Sequence, residues 1–316
     1  MIEFVVRRLL SGLVVLFVLS SVLFFVMRAV PGDVVRLQLA DAGSVSPERM
    51  AEIEAQLGLD EPVLSQYVTW LGNVVRGDFG DSLWERRPVT EMVSERFPVT
   101  IELAVLAIVI AVGLGLVIGI SSAIRRGTFT DAALRVSSVV GLSVPNFFVA
   151  LLFITFLSLW FNYVTPLGYE RLWDDPWVNL QQMIWPAIAL GVSVAAAIAR
   201  LTRSSMLEVL HADYIRTVRA KGATERLINY KHALRNSLIP IITLIGLQFG
   251  ALLGGTVILE SIYSLPGIGS LVFRAVQQRD YPVIQGCALL YGAIFVAVNI
   301  AVDIAYGWID PRIRRS

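Results

Sequence analysis

The sequence predicts an all-α polytopic membrane protein with six transmembrane helices and both termini in the cytoplasm. Three observations carry this. Only 16% of the 316 residues are charged and 56% are hydrophobic, whereas a soluble domain is about 25% charged. The apolar residues gather in six charge-free runs near the length a helix needs to cross the bilayer core. The basic residues concentrate in alternate connecting segments, the pattern that orients membrane proteins.

The first run, residues 9–27, lies between Arg8 and Arg28. A cleaved signal peptide would need small residues where Arg28 stands, so an uncleaved span is expected. The segment after it, about 28–102, is acidic overall. Ser46 as N-cap, Pro47 at the first helical position and Gly58 at the end frame a short amphipathic helix over "ERMAEIEAQL". A second is expected over 62–75, with Tyr67, Trp70 and Leu71 on one face, suited to the membrane interface. The segment reads as a small cap on the outer ends of the spans, or as a docking surface for an extracytoplasmic partner.

The second run, 103–124, lies between Glu102 and Arg125 and carries Gly115 and Gly119 at a spacing that lets helices approach closely. The third, 136 to about 160, opens after Arg135; the fourth, 179–199, ends at Arg200. The fifth, 236–259, ends at Glu260, and the sixth, 281–302, ends at Asp303. In lipid the backbone must satisfy its own hydrogen bonds, so all six are read as helices. Pro145, Pro186 and Pro240 are expected to mark kinks or broken ends. The amino terminus (Arg7, Arg8), the loop 125–135, the loop 200–235 and the tail (Arg312, Arg314, Arg315) are basic and read as cytoplasmic. The other loops read as facing outward. Two parts are expected: 1–102, the first span with the large outer loop, and 103–316, five spans with a cytoplasmic loop at about 200–236.

Several chemistries are absent. Cys287 is the single cysteine, which rules out an internal disulfide, and His211 and His232 are too few for a histidine-based metal centre. No G-x-x-x-x-G-K-[ST] phosphate loop occurs, so ATP is not bound by that device. No Ser/His/Asp or paired-carboxylate arrangement points to catalysis. Catalytic, cofactor and metal residues are therefore read as none. Ionisable residues inside spans would mark an ion-coupled carrier, but Glu260 and Asp303 sit at span ends. The neutral residues Asn146, Gln248, Gln285 and Asn299 can line a path or hydrogen-bond a neighbouring helix, and bonding is the expectation. Gly246, Gly250 and Gly254 form two overlapping G-x-x-x-G steps, read as packing or as a smooth pore wall.

"DYIRTVRAKGATERLINYKHALRNSLIP", residues 213–240, carries six basic and two acidic side chains between two apolar runs. Asp213 suits a helix start, Arg219 and Lys221 its last turn, and Gly222 the left-handed position that ends it. Thr224 can cap a following helix with Glu225 in its first turn. A helix–glycine–helix hairpin exposing Arg216, Arg219 and Lys221 is more than orientation requires. It implies a contact for another protein.

This segment resembles the variant of the cytoplasmic loop found in dipeptide/oligopeptide/nickel permeases, which reads like "DYIRTARAKG…HALRN". The general permease pattern is E-A-A-x-x-x-G followed by I-x-L-P. Here Arg216, Thr217 and Val218 stand where E-A-A does, and His232, Ala233, Leu234 and Arg235 where I-x-L-P does. "PGD", "LGLDEPVLSQYVTWL", "GDFGDSLWERRPVTEMVSERFPVTIEL", "GGTVILESIYSLPGIGSL" and "RDYPVIQG" also resemble that subfamily, from end to end of the chain. The resemblance is to its first permease subunit, with the ABC type I importer permease fold, in the bacterial inner membrane. It implies four kinds of partner: a second homologous permease, two ABC ATPase subunits that bind ATP and Mg, an extracytoplasmic solute-binding protein, and membrane lipid. It implies no nucleic acid. Asp213, Tyr214, Arg216, Thr217, Arg219, Lys221, Gly222, His232, Leu234 and Arg235 would form the ATPase-coupling loop, with Arg216 or Arg219 meeting acidic groups of the ATPase. Dipeptides, longer peptides, glutathione, nickel chelates and sugars remain open as solutes. An ion-coupled carrier or channel acting alone, or a scaffold, are the competing readings.

Overall fold

A computed structural model of the chain describes residues 2–29 and 61–309. The short helix expected after Ser46 lies outside these residues. Among the described residues the secondary structure is helical, apart from an isolated bridge between Asp81 and Pro88. The helices are α1 (Ile2–Ala29), α2 (Val63–Val75), α3 (Val89–Ile124), α4 (Phe129–Ser143), α5 (Asn146–Phe161), α6 (Pro176–Leu210), α7 (Asp213–Ala220), α8 (Glu225–Leu227), α9 (Arg235–Ile262), α10 (Ile268–Gln278) and α11 (Tyr281–Ile309). A π-helical segment, Ile228–Leu234, joins α8 to α9.

Five stretches are long and apolar enough to cross a membrane: Val5–Ala29, Val89–Ile124, Pro176–Leu210, Glu225–Ile262 and Tyr281–Ile304. The third predicted span, 136 to about 160, is not one straight helix. It is α4 and α5, bent by 101° at a short break. Val144 and Pro145 are both extended there, with ψ of 124° and 138°. The residue before a proline avoids the helical region, so the chain turns at this pair. Pro145 is thus the broken end that its sequence position implies. Pro186 and Pro240 lie inside helices that continue past them, as does Pro98 in α3.

Several helices start earlier than the hydropathy runs suggested, and two of those starts are capped by side chains. Asp175 caps α6 by accepting from the backbone N–H groups of Trp177 and Val178, with Pro176 at the first helical position. Thr128 caps α4 by accepting from the Asp131 N–H, which moves Asp131 out of the predicted loop and into the first helical turn.

The chain forms two compact units. One comprises residues 97–270 with 2–6 and 294–309. Its centre is α6, which packs against α4, α5 and α9. Leu103, Met183, Leu190, Ile198, Ile241 and Leu259 are buried in its core. Lipid tails are as apolar as leucine, so this burial contributes mainly close packing, and small residues make it possible. A Cβ on Gly115 would lie 2.8 Å from the Ala195 carbonyl oxygen, and one on Gly119 would lie 2.6 Å from that of Ala199. The two glycines therefore bring α3 and α6 into backbone contact. Gly141 meets the Ala196 methyl in the same manner across α4 and α6.

The other unit comprises residues 7–29, 61–96 and 271–293. Here α2, the helix expected over 62–75, lies on α1. Tyr67 and Trp70 stack about Phe24, with ring centroids 5.3 and 5.4 Å away. The Tyr67 hydroxyl is 2.7 Å from Ser21 Oγ. Asp280, buried, accepts from Ser82 Oγ at 2.5 Å, and the Trp84 indole donates to the Gln278 carbonyl at 2.7 Å. These bonds tie the stretch "GDFGDSLWERRPV" to the α10–α11 junction.

Candidate functional site

The basic segment folds as the sequence spacing indicated. α7 ends at Ala220, and Gly222 takes φ +83°, the left-handed conformation that L side chains resist. A Cβ on Gly222 would meet nothing within 4 Å, so the backbone angle alone demands glycine. Thr224 then accepts from the Leu227 N–H at 3.4 Å and starts α8. Asp213 serves the helix start by its charge and not as the cap. Ala212 holds the cap position without a side-chain bond, and Asp213 occupies the first turn, where its charge favours the helix dipole.

A forked ion pair closes the hairpin across the glycine. Arg219 Nε lies 2.7 Å from Glu225 Oε1 and its Nη2 3.3 Å from Oε2. The carboxylate raises the guanidinium pKa further above its ordinary value. Both groups are exposed, so the pair sets geometry more than stability. Arg216 lies 3.7 Å from Asp213. Ile215 is fully buried and anchors α7, while Asn236 on α9 donates to the Tyr214 hydroxyl at 2.8 Å. Thr217, Arg219, Lys221 and Gly222 stay exposed. His232 and Leu234 lie half-buried in the π-helical segment, and Arg235, exposed, begins α9. The loop residues therefore sit on one continuous element, hinged at Gly222 and footed on buried Ile215, Ile228 and Ala233.

The π-helical segment packs against α6, and α6 carries a cluster the charge count did not reveal. Asp131 is buried, and Arg203 on α6 grips it with two bonds, Nε to Oδ1 at 2.9 Å and Nη2 to Oδ2 at 3.0 Å. Ser122 Oγ donates to Oδ1 at 2.5 Å and the Gly127 N–H to Oδ2 at 3.1 Å. One carboxylate thus joins the ends of α3, α4 and α6, two turns before α7 begins. The Thr-x-x-Asp spacing of Thr128 and Asp131 was a readable capping signal, but nothing in it pointed to Arg203.

Glu260 is the second cluster. It is fully buried and accepts from Thr100 Oγ1 at 2.8 Å and the Ser270 N–H at 2.9 Å. Thr100 Oγ1 also receives the Ile268 N–H at 2.9 Å. A Cβ on Gly267 would fall on this carboxylate, which explains the glycine in "SLPGIGS".

The candidate pathway or packing residues divide. Gly246 faces Val302, and Gly250 faces the Phe295 ring, both on α11. Gly254 has open space where its Cβ would be, so the packing expectation fails there. Asn299 donates to the Phe295 carbonyl of its own helix at 2.8 Å, rather than across helices. Gln285 is buried, and Asn146 and Gln248 are half-buried.

Comparison with known proteins agrees with the loop's resemblance. The profile of the family described as "Binding-protein-dependent transport system inner membrane component" matches residues 115–315, and that of its N-terminal portion matches residues 1–104. A probable peptide ABC transporter permease from Sinorhizobium fredii is 40% identical, over 98% of this chain and 99% of its own. The glutathione transport system permease of Escherichia coli K12 is 39% identical, over 99% of both. A structure of the MetNI methionine ABC transporter in an inward-facing conformation has a chain with the same fold. Its TM-score is 0.54 and its identity 16%, covering 69% of this chain and 96% of that one. The chain belongs to the binding-protein-dependent transport inner-membrane-component family, as a multi-pass inner-membrane permease of the dipeptide/oligopeptide/nickel type.

Proposed function

We propose that this chain forms half of the translocation pathway of an ATP-driven importer for peptides or a related small solute. In this reading the loop around Gly222 receives movement from an ATPase subunit and passes it to the spans. One observation carries the proposal: a protruding hairpin, turned at a left-handed glycine and closed by Arg219 and Glu225, on a chain with no phosphate loop. Such a chain needs force from a partner, and the hairpin offers that partner a closed, exposed turn. Its footing supports the same reading. α7 is anchored by buried Ile215, and the π-helical segment that follows packs against α6, where Arg203 holds Asp131.

The remaining parts follow. The basic loops and both termini face the cytoplasm. Residues 1–102 supply the first span and an outer loop that meets the solute-binding protein, and 103–316 supply the permease core. A second homologous permease completes the pathway, and two ATPases hold ATP and Mg. Arg216 and Arg219 meet acidic groups of an ATPase. Peptides are favoured as cargo because the relatives named above carry peptides and glutathione.

The test is to purify the complex with its binding protein and screen solutes for stimulation of ATP hydrolysis. Stimulation by a peptide, and ATPase recruitment weakened by Arg216→Glu with Arg219→Glu, is the expected result. Unchanged ATPase copurification with that double variant would remove the coupling assignment. Ion-driven flux by this chain alone in liposomes would replace the proposal with a self-sufficient carrier.

A further inference from the structure

We infer that α2 is embedded in the membrane without crossing it, lying along the leaflet in which α1 ends, with Leu64, Val68, Leu71 and Val75 among the lipid acyl chains. Its 13 residues reach about 20 Å, short of the roughly 30 Å hydrocarbon core.

The side chains of α2 sort into three faces. Gln66 and Tyr67 are buried, and Tyr67 and Trp70 meet Phe24 of α1. The face whose spacing suited the membrane is therefore turned largely to protein. Ser65, Thr69 and Asn73, four apart, form a polar stripe. Leu64, Val68, Leu71 and Val75, at steps of four, three and four, form an apolar one. Of these, Leu64, Val68 and Val75 are 68%, 63% and 80% exposed, so the packing on α1 leaves the stripe uncovered. Exposed apolar side chains scattered singly are ordinary on a protein surface. An apolar stripe running the length of a helix, with a polar stripe running beside it, is the pattern of a helix lying in the interface plane, one side in lipid and one in water.

The depth comes from α1. Its charge-free run ends at Met27, before Arg28. Tyr67 reaches Ser21, Phe24 and Phe25, and Trp70 reaches Phe24. These contacts fall inside the run, two to six residues before Met27, or about 3–9 Å at 1.5 Å per residue. An interfacial helix buries its apolar face about 5–10 Å into the boundary between headgroups and acyl chains. Val22, Phe25 and Val26 of α1 are exposed at the same level, so α2 lies beside a surface that already faces lipid. Lipid covers the stripe for the same reason that it covers those side chains. The inference holds whichever side of the membrane this leaflet faces, and it does not involve the hairpin at Gly222.

The experiment attaches a nitroxide label to Leu64→Cys, Val68→Cys and Thr69→Cys in turn, in the transporter assembled in nanodiscs. It compares collisions with oxygen, which concentrates in lipid, and with a nickel chelate, which stays in water. Wild type, with Cys287 buried, gives the background. The three side chains replaced are exposed, so labelling them does not disturb the packing on α1. The ratio of oxygen to chelate collisions should be higher at Leu64→Cys and Val68→Cys than at Thr69→Cys, although positions 68 and 69 are adjacent. Equal ratios at 68 and 69 would overturn the inference and put the stripe in water. Few collisions with either reagent at 64 and 68 would also overturn it, because protein would then cover the stripe.

Discussion

Arg203 holds Asp131 by a forked pair of bonds, 2.9 and 3.0 Å long, at the point where α3, α4 and α6 converge. The aspartate is buried, so removing Arg203 takes away its closest countercharge, and removing the aspartate leaves a part-buried guanidinium unpaired. Asp131→Asn or Arg203→Met should each lower stability by on the order of 3 kcal/mol. Asp131→Leu combined with Arg203→Met should recover most of that loss. Thermal unfolding in detergent measures both; an unshifted midpoint in the single variants would show that the grip is idle.

At Gly222 the obstacle is the backbone angle, because space for a side chain is open. Left-handed backbone costs an ordinary L residue about 1–2 kcal/mol, and asparagine is among the residues that adopt it most readily. Gly222→Asn should therefore transport nearly as wild type. Gly222→Val should insert normally but hydrolyse more ATP per solute moved. The ratio of hydrolysis to uptake in proteoliposomes separates them, and equal ratios would end the coupling role of this turn.

The Glu260 carboxylate accepts from the Thr100 hydroxyl and the Ser270 N–H. A glutamine there must point an NH2 group at donors. Glu260→Gln should cost about 1–3 kcal/mol, the penalty for buried groups left unpaired. Limited proteolysis of the 263–270 turn should detect the loosening, and equal cleavage would argue against it.

The two glycine stripes looked alike in sequence but differ in consequence. A methyl at Gly119 meets the Ala199 carbonyl oxygen at 2.6 Å, and backbone cannot step aside cheaply. Gly119→Ala should lower stability by about 1–3 kcal/mol. Gly254→Ala meets nothing and should stay within about 0.5 kcal/mol of wild type. Equal unfolding midpoints for the pair would contradict the packing described for α3 and α6.

The spans, the helix over 62–75 and the helix–glycine–helix loop were legible because each depends on local pattern. Charge-free runs, cap residues and a glycine at a helix end are read within a few positions. The Arg203–Asp131 grip was not legible, because its partners are 72 positions apart and the charge count placed Asp131 in a loop. Glu260 sat at a predicted span end, but its donors come from Thr100 and Ser270, which only folding brings together. Gly254 repeated a spacing without a neighbour to use it. The bend at Pro145 was half legible: proline announced a break, and only the structure supplied its 101°.

The π-helical turn at Ile228–Leu234 can be read as an insertion that the helix absorbed without changing course. A π turn holds about one residue more than an α turn, and one residue is about 100° of rotation about the helix axis. The face that α9 presents to α11, with Gly246 opposite Val302 and Gly250 opposite Phe295, therefore keeps its bearing despite the extra residue upstream. Deleting a single residue from 228–234 would turn the π segment into an ordinary α turn and leave that face where it is. In evolutionary terms this segment tolerates a change of length that the straight part of α9 does not.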